Sequence, residues 1–246
     1  MAGQTRVCVY DRAGRGGSQP GNGPQDGARV ATDLHTLLHR AGVGGPYVLA
    51  GHSFGGLYVR IFAAHYPSEV AGLVLIDSTA SQEPAESVIP APPPSGHEGS
   101  SDGVGRFATV ASLSARVGLA RLYGNFVGGT LPARSEELLR YDTAQASTVR
   151  SVVEEYLRGG GSRQAASLRD FGDKPLFVLT AGVGSSASWM TAQQKSTTLS
   201  TNSVREVVDG ANHQGLEDNK AYAAHITRAV LDVVTSVRDD KPLTDR

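Results

Sequence analysis

"LAGHSFGGLYVR", from Leu49 to Arg60, sets one serine among glycines where an apolar strand pattern gives way to a helical one. Upstream, "PYVLAG" reads as an apolar strand. Downstream, Leu57, Ile61 and Ala64 recur at helical spacing with Tyr58 and Phe62 beside them, until Pro67 ends the helix. The turn between, "GHSFG", matches the pattern Gly-x-Ser-x-Gly. Gly51 and Gly55 are expected to permit a turn too tight for bulky side chains, lifting the Ser53 hydroxyl above the sheet edge. The N–H groups of the helix start would then point at a reacting centre. The strand–turn–helix context makes Ser53 the candidate nucleophile, with His52 bracing the turn or bordering a pocket.

Outward from that turn the chain alternates strand and helix. "RVCVY" reads as a buried strand before a Gly-rich turn, and a helix from Asp26 places Val30, Leu34, Leu37, Leu38 and Ala41 on one face. "AGLVLIDS", "KPLFVLTAG" and "SVREVVDG" read as further strands, and a helix within "SASWMTAQQKSTTLS" can set Trp189 against the sheet. A last helix carries Tyr222, Ile226, Ala229, Val233 and Val237 near one face. Such alternation is the signature of a mostly parallel α/β sheet. Between Thr79 and Phe171 the pattern breaks. A loop holding five prolines, "SQEPAESVIPAPPPSGHEGSSDGVG", precedes weakly amphipathic stretches at 106–125 and 134–158. Residues 1–79 and 171–238 are therefore expected to form the core, 80–170 an inserted helical lid, and 239–246 a polar tail.

A serine needs a base, and an acid to orient that base. His213 lies in the loop after the last strand, where a base could reach Ser53. His35, His39, His65 and His225 fall within helices and read as surface or satisfied histidines, and His97 lies in the Pro-rich loop. No H-E-x-x-H spacing occurs, so a zinc hydrolase is not expected and no metal or cofactor is called for. For the acid, "TAGVGSSASW" at the end of the strand "PLFVLT" offers neither Asp nor Glu. Asp77, at the carboxyl end of the neighbouring strand, is the candidate, with Asp209 as runner-up. Asp173 precedes its strand, at the wrong end for chemistry.

The 246 residues carry a formal net charge of -1, which gives no electropositive stripe for nucleic acid. The Gly-rich "GRGGSQPGNG" lacks the lysine of a phosphate-binding loop. Cys8 is the single cysteine, so neither an internal disulfide nor a thiolate metal cluster can form. No stretch is apolar and long enough for a membrane span or signal peptide, and a cytoplasmic location is expected.

The residues "PYVLAGHSFGGLYVRIFAAHYPSEVAGLVLIDS", "KPLFVLTAG" and "GANHQGLED" together resemble the α/β-hydrolase fold superfamily, in particular lidded serine hydrolases of actinobacterial type. The resemblance spans nearly the whole chain. It implies a Ser53–His213–Asp77 triad, a Phe54 backbone N–H as one oxyanion donor, and a small acyl substrate. It also implies an earlier strand ending in His-Gly whose loop gives the second donor. The sequence starts after that point, so an N-terminally shortened hydrolase lacking the usual first strands is expected, with Val7–Tyr10 and Tyr47–Ala50 facing an unfilled slot. One missing donor would cost roughly 3 kcal/mol of transition-state stabilisation. Dehalogenases and epoxide hydrolases of this fold use an aspartate where Ser53 stands, which argues against both. Cofactor-free haloperoxidase-like perhydrolysis and a noncatalytic binding role remain compatible with the sequence.

Overall fold

The apolar runs flanking Ser53 form the first two of four parallel strands: β1 (Tyr47–His52), β2 (Val70–Ile76), β3 (Leu176–Ala181) and β4 (Ser203–Val208), side by side in that order. This computed structural model describes residues 1–21, 25–79, 131–143, 145–157, 165 and 167–244. β3 is buried at every position and β2 at all but one, as runs of unbroken apolar sequence demand when both sheet faces are covered. Successive residues point to opposite faces. Leu73, Leu75, Leu176 and Val178 join one core with Leu57, Ile61 and Phe62 of helix α2 (Phe54–His65) and Val30, Ala31 and Leu38 of helix α1 (Gly27–Arg40). Val74, Ile76, Phe177 and Leu179 join the other.

On the second face lie Ala229 and Val233 of the last helix, together with Leu216. Helix α2 is buried from Gly56 to Ala63 without a polar stripe, so its place is fixed by packing on all sides. Full burial of Leu57, Ile61 and Phe62 contributes about 2 kcal/mol each.

The helix expected from Asp26 is α1, and Asp26 caps it by accepting the Arg29 N–H at 2.8 Å. Its buried stripe is narrower than the sequence suggests. Val30, Ala31 and Leu38 are buried, whereas Leu37 is 45% exposed and Ala41 lies beyond the helix end.

The strand expected at "RVCVY" does not form. Residues 6–10 are irregular and Val9 is 93% exposed. An apolar run becomes a strand only where a neighbour takes up its N–H and C=O groups, and among the described residues β1 pairs with β2 alone. Along β1, Tyr47, Val48 and Leu49 are half-buried and Ala50 is exposed, as on an uncovered sheet edge.

Among the described residues, two helices lie between β2 and β3 in sequence, α3 (Ala133–Thr143) and α4 (Ala146–Leu157). They correspond to the 134–158 reading. The Pro-rich loop and the 106–125 reading lie outside the described residues. Charge ties α4 to the loop before α1: buried Glu155 accepts from Arg12 Nε at 2.8 Å and pairs with Arg15. Arg12 also stands over the Tyr58 ring of α2, 5.1 Å from its centroid. Helix α5 (Ala187–Ser196) follows β3 with Ser186 capping it through the Trp189 N–H, and α6 (Lys220–Asp239) closes the fold. Among the described residues no helix is long and apolar enough to cross a membrane.

Candidate active site

Parallel strands bring their carboxyl ends to one edge of the sheet, and the candidate residues gather there. Ser53 joins β1 to α2 at φ 53°, ψ −122°, a backbone conformation that L-residues rarely adopt and that costs about 1–3 kcal/mol. The surroundings hold it in place. The Ser53 N–H donates to the Ile76 carbonyl at 3.1 Å, and the Ser53 carbonyl accepts the N–H groups of Gly56 and Thr79, each at 3.1 Å. A Cβ on Gly51 would run into the backbone of Gly55 and Gly56, so glycine is required there. At Gly55 a Cβ would meet open space. The second close approach is at Gly56, whose Cβ would collide with the Ser78 side chain, so the tightness assigned to Gly55 belongs one residue later.

The bonds from Ser53 to Ile76 and Thr79 set the elbow beside Asp77. Asp77 also has a left-handed backbone, φ 39°, and is 1% exposed. Three donors converge on its carboxylate: Trp189 Nε1 at 2.8 Å and the Ala181 N–H at 3.1 Å on Oδ1, and His213 Nδ1 at 2.6 Å on Oδ2. Burial pushes the acid's pKa up, but the bonds from His213, Trp189 and Ala181 outweigh it and hold the pKa below the usual value. A carboxylate so held has no proton to give, so His213 Nδ1–H is the donor in the bond between them, and Nε2 is the ring nitrogen left outside it. The His213 side chain is 41% exposed and can meet a ligand from solution. Asp209 is exposed; the acid that pairs with His213 is Asp77.

His52 lies against His213. Its Nε2 lies 3.0 Å from the His213 carbonyl, its Nδ1 3.3 Å from Glu217, and its ring centroid 4.4 Å from that of His213. Burial lowers its pKa, yet Glu217 and the His213 carbonyl together hold it above the ordinary histidine value. Glu217 answers in the opposite sense: burial raises it, and the bond to His52 brings it below the usual range.

The sequence did not single out Glu217 or assign the Trp189 indole to Asp77. For Glu217 the signal was its place four residues after His213, although the partner it takes is His52. For Trp189 nothing in the sequence marks a bond to a strand-end acid. The other described histidines lie elsewhere: His225 pairs with Glu206, and His35 and His39 approach Glu69 at the amino end of β2. Among the described residues, His35, His39 and Glu69 are also the one group whose donor atoms are close enough together to hold a metal ion.

A covered parallel sheet with a strained serine elbow after β1, an acid after β2 and a histidine bonded to that acid from the loop after β4 defines an α/β hydrolase scaffold. The chain belongs to the alpha/beta hydrolase fold family, which it matches over residues 2–220. It is 32% identical over 221 residues to an uncharacterized protein of Schizosaccharomyces pombe, covering 85% of this chain and 38% of that protein. It is 36% identical over 118 residues to a putative non-heme haloperoxidase of Mycobacterium phage D29, covering 45% of this chain and 34% of that protein. The chain thus spans well under half the length of these curated relatives. Among solved structures, a thermophilic esterase from Thermogutta terrifontis superposes with a TM-score of 0.60 at 21% identity, covering 92% of this chain and 78% of that one. A likeness so distant shows the fold alone.

Proposed function

We propose that this chain is a serine hydrolase that cleaves a small ester, thioester or activated amide through an acyl-enzyme. The observation that carries the reading is the Asp77–His213 bond of 2.6 Å, formed on the segment to which the Ser53 elbow is hydrogen-bonded. His213 Nε2 takes the proton of Ser53 Oγ as the oxygen attacks the acyl carbonyl. The Phe54 N–H, first in α2, donates to the developing oxyanion. The imidazolium, steadied by Asp77, then protonates the leaving group, and water repeats the cycle on the acyl-enzyme.

A serine at the elbow favours acyl transfer over the chemistry of enzymes that place an aspartate there. A perhydrolytic variant, with peroxide in place of water in the second half, uses the same residues and draws support from the partial likeness to the phage haloperoxidase.

Incubation with a p-nitrophenyl short-chain ester, followed by rapid quenching and mass spectrometry, tests the reading. It requires a burst of nitrophenolate and an acyl adduct on the peptide that contains Ser53. Hydrolysis that persists in Ser53→Ala, or an adduct on another residue, would contradict it.

A further inference from the structure

At the amino end of β2, the far end from Asp77, two histidines from one helix and a carboxylate from the next segment meet. His35 and His39 stand four residues apart on α1, a spacing that puts both rings on one face. Glu69 closes the short 3-10 turn Pro67–Glu69 before β2. His35 Nε2 lies 3.0 Å from Glu69 Oε1, and His39 Nε2 lies 3.4 Å from Oε2. One donor atom from each residue lies within 4.8 Å of the other two. A tetrahedral ion with arms of about 2.0–2.1 Å sets neighbouring donors about 3.3 Å apart. Measured to the one oxygen Oε1, the two nitrogens stand at 3.0 and 3.5 Å, which bracket that spacing.

Two further features suit a ligand set better than a surface ion pair. The first is Glu69 Oε2, buried and without a hydrogen-bond partner even with His39 Nε2 beside it. A buried carboxylate oxygen lacking a donor is unfavourable, and a cation would satisfy it. The second is preorganisation. The His35 ring stacks on Tyr66 at 3.9 Å with 8° between planes, and Lys174 Nζ pins the turn by bonding the Pro67 and Val70 carbonyls at 2.5 and 2.8 Å.

We propose that His35, His39 and Glu69 bind a divalent transition cation, Zn2+ or an ion of similar preference, through His35 Nε2, His39 Nε2 and one Glu69 oxygen, with water as the fourth ligand. Two imidazoles and one carboxylate suit zinc, copper, nickel or cobalt; magnesium and calcium favour all-oxygen sites. The seven residues of β2, at about 3.3 Å each, hold the site roughly 20 Å or more from Asp77. The ion therefore ties α1 to the β2 entrance and takes no part in chemistry at Ser53.

The test uses the whole chain stripped with a chelator and dialysed, titrated with Zn2+ against a chromophoric competitor. A parallel Co2+ titration is read by visible absorption. The expected result is one equivalent bound in the micromolar range or tighter, tetrahedral cobalt bands, and a rise in melting temperature with Zn2+. Both His39→Ala and Glu69→Gln weaken binding about tenfold or more, whereas His65→Ala, at an exposed position beside the cluster in sequence, leaves it intact. His39 is exposed, so its loss spares the fold, which circular dichroism of each variant checks. Failure of the wild type to bind Zn2+ above the level of a folded His39→Ala variant would overturn the proposal, as would binding that survives both substitutions.

Discussion

Two histidine–carboxylate pairs lie face to face at the carboxyl end of the sheet, and they are built differently. In one, Asp77 is almost wholly buried and receives three donors while His213 remains 41% exposed. In the other the exposure is reversed: the His52 side chain is 12% exposed and that of Glu217 46%. A buried acid with donors on both of its oxygens stays ionised and fixes the ring that faces outward. A half-exposed acid contributes a modest, screened attraction and holds a ring that faces inward. The first pair suits proton transfer at an open face, and the second suits clamping the His213 loop to the elbow through the His52–His213 carbonyl bond.

This contrast orders the expected effects. Asp77→Asn should be the most severe, lowering kcat on the order of a thousandfold to ten-thousandfold, because the amide no longer selects the His213 tautomer or stabilises its cation. Steady-state ester hydrolysis with a check of folding measures it; a loss under tenfold would break the assignment of Asp77 as the acid. Trp189→Phe comes next. It removes one of the Oδ1 donors from a buried carboxylate and should cost about 1–3 kcal/mol in denaturant unfolding. It should also move the acid limb of the kcat profile toward higher pH, since one of the bonds that keep Asp77 ionised is gone. An unshifted limb would mean that the indole only fills space.

Glu217→Gln should cost less than about 1 kcal/mol, since the carboxylate is half-exposed. Its pH dependence is more telling than its size. His52 sits above the ordinary histidine value in the fold, so its contribution is whole below that value and is lost as pH rises through the raised one. Glu217 sits below its usual value, so its contribution is lost as pH falls through the lowered one. The stability difference between wild type and Glu217→Gln should therefore be greatest in mildly acidic solution and shrink toward alkaline pH. A difference that grows with pH would show that His52 and Glu217 are not an ion pair. Asp77 behaves like Glu217, its contribution vanishing as acid titrates the lowered carboxyl, so acid unfolding of wild type should be steeper than that of Asp77→Asn.

The strands at β1 to β4 and the elbow between β1 and α2 were legible because unbroken apolar runs and a glycine-framed turn each have few structural solutions. The Asp77–His213 pairing was legible by elimination, since one strand end carried no acid and its neighbour did. "RVCVY" misled because apolar sequence records a tendency to be buried and says nothing of whether a partner strand is present to pair with. Leu37 misled for a related reason: helical spacing marks a face, and the neighbour decides how much of that face is covered. The Trp189–Asp77 and Glu217–His52 bonds depend on side chains from separate elements meeting at one sheet edge, which no local pattern encodes.

The most direct measurement of the central claim is time-resolved fluorophosphonate labelling of the folded chain beside Ser53→Ala and His213→Ala. The account predicts rapid stoichiometric labelling of wild type, none in Ser53→Ala, and strongly slowed labelling in His213→Ala. A folded wild-type chain that takes up no label, or one that labels equally fast without His213, would contradict it.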